Sequence, residues 1–178
     1  EKVIAEIEEA DLSENYWKVG LVQDLRKATI SNPFLKLFFT AQIYFHDKAL
    51  FSNSVTVEQL IKIKGDIHHI FPKDYLQKAG LGRGDYNQIA NFVYLQQEVN
   101  VKVSNKAPKE YFNEVLEQCN SGDLQYGGIS NKDQLLANLE NNAIPKEVFE
   151  MDISHYEEFL EQRRKLMAQK IESYYKSL

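Results

Sequence analysis

A mainly helical fold with a small embedded β element follows from three features of the chain. Apolar residues recur at helical spacing on both flanks. A short β-type segment, Ile67-His68-His69-Ile70-Phe71, is fenced by Gly65 and Pro72, and a second apolar run, Phe92 to Gln96, follows a loop that holds three glycines. The architecture predicted is a helical bundle scaffold flanking a two-stranded hairpin and the helix that follows it. Residues 1–64 read as an N-terminal helical scaffold, 65–118 as the central element and 119–178 as a C-terminal helical scaffold, all in one unit of 178 residues.

Residues 1 to 10 and 17 to 29 read as amphipathic helices, the second with Leu21, Val22, Leu25 and Ala28 on one face. Asn32 and Pro33 supply a cap and a first position for a third helix, whose dense Phe and Leu content marks it as central scaffold. Thr56 and Gln59 form a capping-box pattern for a short helix to about Lys64, and Gly65 stops it. Lys73 to Gln88, with Gly80, Gly82 and Gly84, reads as a long loop facing substrate. Its glycines do not follow a strand, so a nucleotide-binding loop is rejected. Strand two, from Phe92 to about Gln96, leads into a helix carrying Asn100, and another helix starts at Pro108 and runs to about Gln118. A loop from Ser121 to Ser130, a helix from Asn131 to Asn141 and a turn at Pro145 come next. Ser154 with Glu157 then caps a long last helix that buries Tyr156, Phe159, Leu160, Met167 and Ile171.

Composition narrows the function. The richest apolar run, Phe34 to Phe45, is broken by Lys36, Thr40 and Gln42, so it reads as a buried helix and no membrane partner is expected. Cys119 is the only cysteine, which excludes an internal disulfide and paired-cysteine zinc knuckles and suits a reducing cytoplasm. The chain opens on Glu1 and reads as a piece of a longer polypeptide, so the remainder of that polypeptide or a partner subunit is an expected partner. The net charge of -5 opposes nucleic-acid binding at first sight, but it is unevenly spread: from Lys62 to Lys109 the sum is +4, against -9 for the rest. Arg83, Lys102 and Lys106 are the phosphate-contact candidates within that basic stretch.

The chemistry concentrates in Asp66-Ile67-His68-His69-Ile70-Phe71-Pro72, followed by Asn91 and, nine residues on, Asn100. Neighbouring side chains on a strand point to opposite faces, so His68 and His69 hold different jobs. A His-His pair alone is more often a hydrogen-bonded structural feature than a site. The ordered string of His-His, proline and two asparagines is more specific. It resembles the HNH, or ββα-metal, nucleases, in which a D/H-H-I-x-P string ends strand one, a central Asn opens strand two and a final His or Asn lies on the next helix. The segment NKAPKEYF, with Pro108 and Glu110, matches the part that closes the motif. The wider pattern resembles the C-terminal nuclease domain of GmrSD-type modification-dependent restriction enzymes, which act in phage defence.

That resemblance implies His69 as general base, Asn91 as the central structural Asn of the catalytic element, and His68 and Asn100 as ligands of one divalent ion. The ion would be magnesium or manganese, with nickel or zinc as alternatives that imidazole favours. Few protein ligands leave positions open for phosphate and water. A neutral imidazole can take a proton from water at physiological pH, provided its other ring nitrogen is held, for which a backbone carbonyl of the inter-strand loop is the expected partner. Asp66 is either a carboxylate behind His68 or an exposed residue at the strand start. Taken singly, Asn91 reads as a turn residue before a strand. The substrate implied is DNA, with RNA left open. A catalytically silent HNH-like docking module is the alternative function, and a structural zinc site is disfavoured by the lack of cysteines.

Overall fold

The computed structural model describes residues 12–26 and 31–178. The expected helix over residues 1 to 10 and position Ala28 lie outside them. A π-helical turn, Tyr16–Gly20, runs into α1 (Leu21–Arg26), and α2 (Pro33–Tyr44) begins as expected, with Asn32 Oδ1 accepting the Phe34 N–H at 2.9 Å. α3 (Val57–Lys62) carries the full Thr56–Gln59 capping box. Its end departs from expectation. Lys64, at φ 56°, is the left-handed residue, and the Gly65 N–H closes back on the Leu60 carbonyl at 2.8 Å. A side chain at Gly65 would stand 3.1 Å from that same oxygen, so the glycine serves close approach.

β1 (Ile67–His69) and β2 (Phe92–Tyr94) pair antiparallel, with His68 opposite Val93 and His69 opposite Phe92. β2 is shorter than expected because Leu95 leaves the pair and makes an isolated parallel bridge to Leu50. The intervening segment is not a plain loop. It contains α4 (Lys73–Lys78) and α5 (Arg83–Tyr86), punctuated by Gly80 at φ 88°. Leu76 and Tyr86 are buried, and that anchoring holds the two stretches helical, one before Gly80 and one after Gly82. α6 (Gln97–Val103) follows β2 and ends at Ser104, which adopts φ 52°. α7 (Pro108–Ser121) is capped by left-handed Gly122, and α8 (Lys132–Asn141) by the Asn131 side chain.

The last helix, α9 (Tyr156–Tyr175), is not opened by Ser154. Asp152 takes both the Ser154 N–H and its hydroxyl while it pairs with Lys109 at 2.6 Å, and a 3₁₀ turn, Ile153–His155, leads into the helix. Its five expected apolar residues are all buried. The protein is thus mainly helical with a small two-stranded antiparallel sheet, and no helix among the described residues is long and apolar enough to cross a membrane.

One apolar core joins residues from Trp17 to Ile171. Two three-residue strands are marginal in water, so their stability comes from the helices around them. Phe71, just past β1, packs its ring against Phe159 of α9 at 4.9 Å, and Tyr94 of β2 meets Phe39 of α2 at 4.7 Å. Burying each such ring contributes about 1.5–3 kcal/mol. Within this apolar face of α9 sits Arg163, fully buried and with no carboxylate partner among the described residues. Its guanidinium donates to the carbonyls of Ala90 (2.8 Å), Phe92 (2.7 Å) and Asn142 (3.2 Å). Burial pushes its pKa down to about 9, which leaves it charged at neutral pH.

Arg163→Met should therefore leave three carbonyls short of a donor and lower the unfolding free energy by about 3 kcal/mol, read as a shift in urea midpoint at constant slope. A midpoint equal to the parent's would mean that this charge does not hold the strand.

Candidate functional site

Each sequence-predicted residue has a definite place. Asp66 is exposed just before β1, and its charge favours protonation of His68. His68 is buried at mid-strand, and its Nε2 has no hydrogen-bond partner. Burial is the largest influence on its pKa and lowers it. His69 is half-buried at the end of β1, with Phe92 at 5.0 Å and Tyr86 at 6.0 Å between ring centroids. Burial again lowers its pKa most, the Asn87 contact opposes that, and the nearby Lys73 charge adds to the lowering. Both imidazoles are therefore neutral at pH 7.

The ring nitrogen of His69 is held, though not by the expected backbone carbonyl. Nε2 lies 3.1 Å from Asn87 Oδ1, a side chain at the end of the same inter-strand segment. An amide oxygen only accepts, so Nε2 carries the proton and donates. Nδ1 then keeps its lone pair; it has no hydrogen bond among the described residues and is not among the enclosed polar atoms. This is the tautomer a general base needs.

Asn91 is no ordinary turn residue. It is fully buried; its Oδ1 accepts the Phe71 N–H at 2.8 Å, and its Nδ2 donates to the carbonyls of Phe71 and Tyr86, each at 3.1 Å. Its own carbonyl accepts the Ile70 N–H at 2.9 Å. One side chain thereby ties the residue that leaves β1 to the residue preceding Asn87. The exit of β1 is also held from α7, where the Tyr111 hydroxyl donates to the Ile70 carbonyl at 2.7 Å.

Asn100 is half-buried on α6, and its side-chain amide makes no hydrogen bond among the described residues. Lys102 and Lys106 line one groove together with Glu114, Glu117, Asp123 and Tyr126. Lys102 donates to the Gln125 carbonyl at 2.5 Å, and Lys106 pairs with the Glu114 carboxylate and the Tyr126 hydroxyl, both at 2.6 Å. Arg83 stands apart from that groove, exposed at the start of α5, with no side-chain partner among the described residues. The basic candidates are therefore divided between two places.

A divalent ion would need donors that are not already used. The partnerless Nε2 of His68 and the free amide of Asn100 meet that condition. Among the described residues no three His, Cys, Asp or Glu side chains gather as a metal cage, so any ion here would rest on few protein ligands.

Sequence reasoning missed Asn87, Tyr111 and Arg163. Arg163 had a signal: it occupies a position in the 3-4 spacing of Phe159, Leu160, Met167 and Ile171, where a solvated charge does not belong. Asn87 had none, because its role depends on where the segment closes.

No family model matches the chain, and no solved structure matches it. An uncharacterized protein of Methanocaldococcus jannaschii is similar, 29% identical over 118 residues that cover 58% of this chain and 20% of that protein. The match thus spans about a fifth of the relative's length.

Asn91→Ala should expose the Phe71 amide to exchange, since Asn91 Oδ1 is its acceptor, and should cost on the order of 2 kcal/mol. Unchanged protection of that amide by hydrogen–deuterium exchange would remove Asn91 from the clamp.

Proposed function

We propose that the chain is a metal-dependent nuclease of the HNH, ββα-metal type, one that hydrolyses phosphodiester bonds in DNA and belongs to a larger restriction or phage-defence enzyme. The observation that carries this reading is the Nε2–Asn87 bond, which puts the ring proton on Nε2 and leaves Nδ1 available, while burial favours the neutral form of His69. The order hairpin, then helix, with His68, His69, Asn91 and Asn100 in the family's positions, supports it.

In this reading His69 Nδ1 takes the proton of an attacking water, and the P–O bond opposite the attack breaks. Asn87 fixes the ring and its tautomer. Asn91 fixes Asn87 by closing the segment at Tyr86. His68 and Asn100 would hold a divalent ion, which when bound would stabilise charge on the phosphate and the leaving oxygen. Magnesium or manganese fits a nuclease, whereas the imidazole of His68 also suits nickel or zinc. Asp66, exposed beside His68, would tune that ligand. Arg83, Lys102 and Lys106 would contact phosphates. Lys106 would contribute least, since the Glu114 carboxylate already offsets its charge.

A silent HNH-like module for docking is the second reading. The absence of any hydrogen bond to the His68 Nε2 argues against it, because a purely structural buried imidazole would have its nitrogens satisfied.

A plasmid-nicking assay with Mg, Mn, Ni and Zn, and with EDTA as control, separates the two. The parent should nick in at least one metal and stop in EDTA. His69→Ala should lose about 100- to 10,000-fold in rate with metal affinity kept, whereas His68→Ala and Asn100→Ala should lose both. Nicking by His69→Ala at the parental rate would remove the base, and no nicking by the parent in any metal would favour the silent module.

A further inference from the structure

The segment between the strands carries a cation that the motif does not use. Lys73 directly follows Pro72, is the first residue of α4 and is exposed. Its ammonium stands 5.7 Å from the centroid of the Tyr86 ring, and that ring meets the His69 ring edge-on at 6.0 Å. Tyr86 thus links a lysine and the candidate base within one small aromatic contact. The charge is near enough to oppose protonation of His69.

Lys62, Lys106, Lys109 and Lys170 each pair with a carboxylate, whereas no carboxylate pairs with Lys73 among the described residues. A cation on the first residue of a helix gains nothing from the helix dipole. Local preference therefore does not account for a lysine here, and such departures gather at functional sites. An exposed ammonium leaning on an aromatic face keeps its charge for an incoming anion at small desolvation cost.

Building on the nuclease reading, we propose that Lys73 holds a phosphate oxygen of the nucleic-acid strand beside His69. Arg83 lies farther along the same segment, one turn ahead of Asn87, whose N–H donates to the Arg83 carbonyl at 3.2 Å. The phosphate-facing surface would then be this segment, clamped at its base by Asn91, more than the groove where Lys102 and Lys106 sit among acids.

The test uses Lys73→Gln, Lys73→Arg and, as control, Lys165→Gln on the exposed face of α9. Binding to a labelled duplex oligonucleotide is followed by anisotropy across a salt series, alongside plasmid cleavage. Lys73→Gln should lower the log–log salt slope by about 0.9 and raise KM several-fold with kcat near the parent's, while melting at the parental temperature. Lys73→Arg should keep the parental slope, and so should Lys165→Gln. A parent that cuts DNA while Lys73→Gln retains its slope and KM overturns the Lys73 assignment and leaves the nuclease reading intact. Equal slope loss in Lys73→Gln and Lys165→Gln overturns it as well. A parent that neither binds nor cuts the duplex in any divalent metal overturns both.

Discussion

The buried amide of Asn91 is the interaction on which the candidate site depends. A single side chain bonds both polar groups of Phe71 and the carbonyl of Tyr86, so the segment leaving β1 is tied to its own return before β2 begins. Arg163 grips the carbonyls on either side of it, Ala90 and Phe92, from the last helix. Five polar groups of a short hairpin are thereby satisfied away from water, where each unpaired one would cost on the order of 1–3 kcal/mol. Strands of three residues cannot fix His69 by ladder bonds alone. The clamp supplies that fixity and passes it to Asn87, the side chain that orients the imidazole.

The same device recurs at three other irregular places in the chain. Asn138 of α8 accepts the Phe51 N–H and donates to the carbonyls of Ala49 and Ser52, where Phe51 takes φ 60°. Gln118 of α7 accepts the N–H groups of Gln125 and Tyr126 and donates to the Ile129 carbonyl, holding the loop after Gly122. Asn142 donates to the Lys48 carbonyl and accepts from Gln42. A protein with little sheet satisfies its buried loop backbone through side-chain amides, which gives those loops the rigidity of regular elements. For a site carried on a connection between strands, that rigidity is a functional property.

What could be read from sequence was whatever local spacing determines. Asn32-Pro33, the Thr56–Gln59 box and the 3-4 pattern of the last helix act over a few residues, and the helices they imply are present. The first short strand was legible because its apolar residues lie between Gly65 and Pro72, and the second because an apolar run follows the glycine-bearing segment. Long-range bonding was not legible. Asn91 looks like a turn residue until Phe71 and Tyr86 arrive beside it, and Asn87 has a role only once the segment folds back on β1. Two short helices between the strands went unread because their few residues carry no periodicity, and Leu76 and Tyr86 stabilise them by burial. Ser154 lost its capping role to Asp152, whose position is set by Lys109, 43 residues away in sequence. Lys102 and Lys106 matched the basic pattern, yet their partners come from the Gln125–Tyr126 loop and α7.

The central claim is that the fold presents His69 as a neutral imidazole protonated on Nε2, with Nδ1 free to act. Two-bond ¹H–¹⁵N correlation spectra of the ¹⁵N-labelled protein at pH 7 report this directly, with His69→Gln to assign the resonance. The geometry predicts the Nε2–H tautomer, and in Asn87→Ala the preference should weaken. A His69 ring protonated on Nδ1, or on both nitrogens at that pH, would contradict the account.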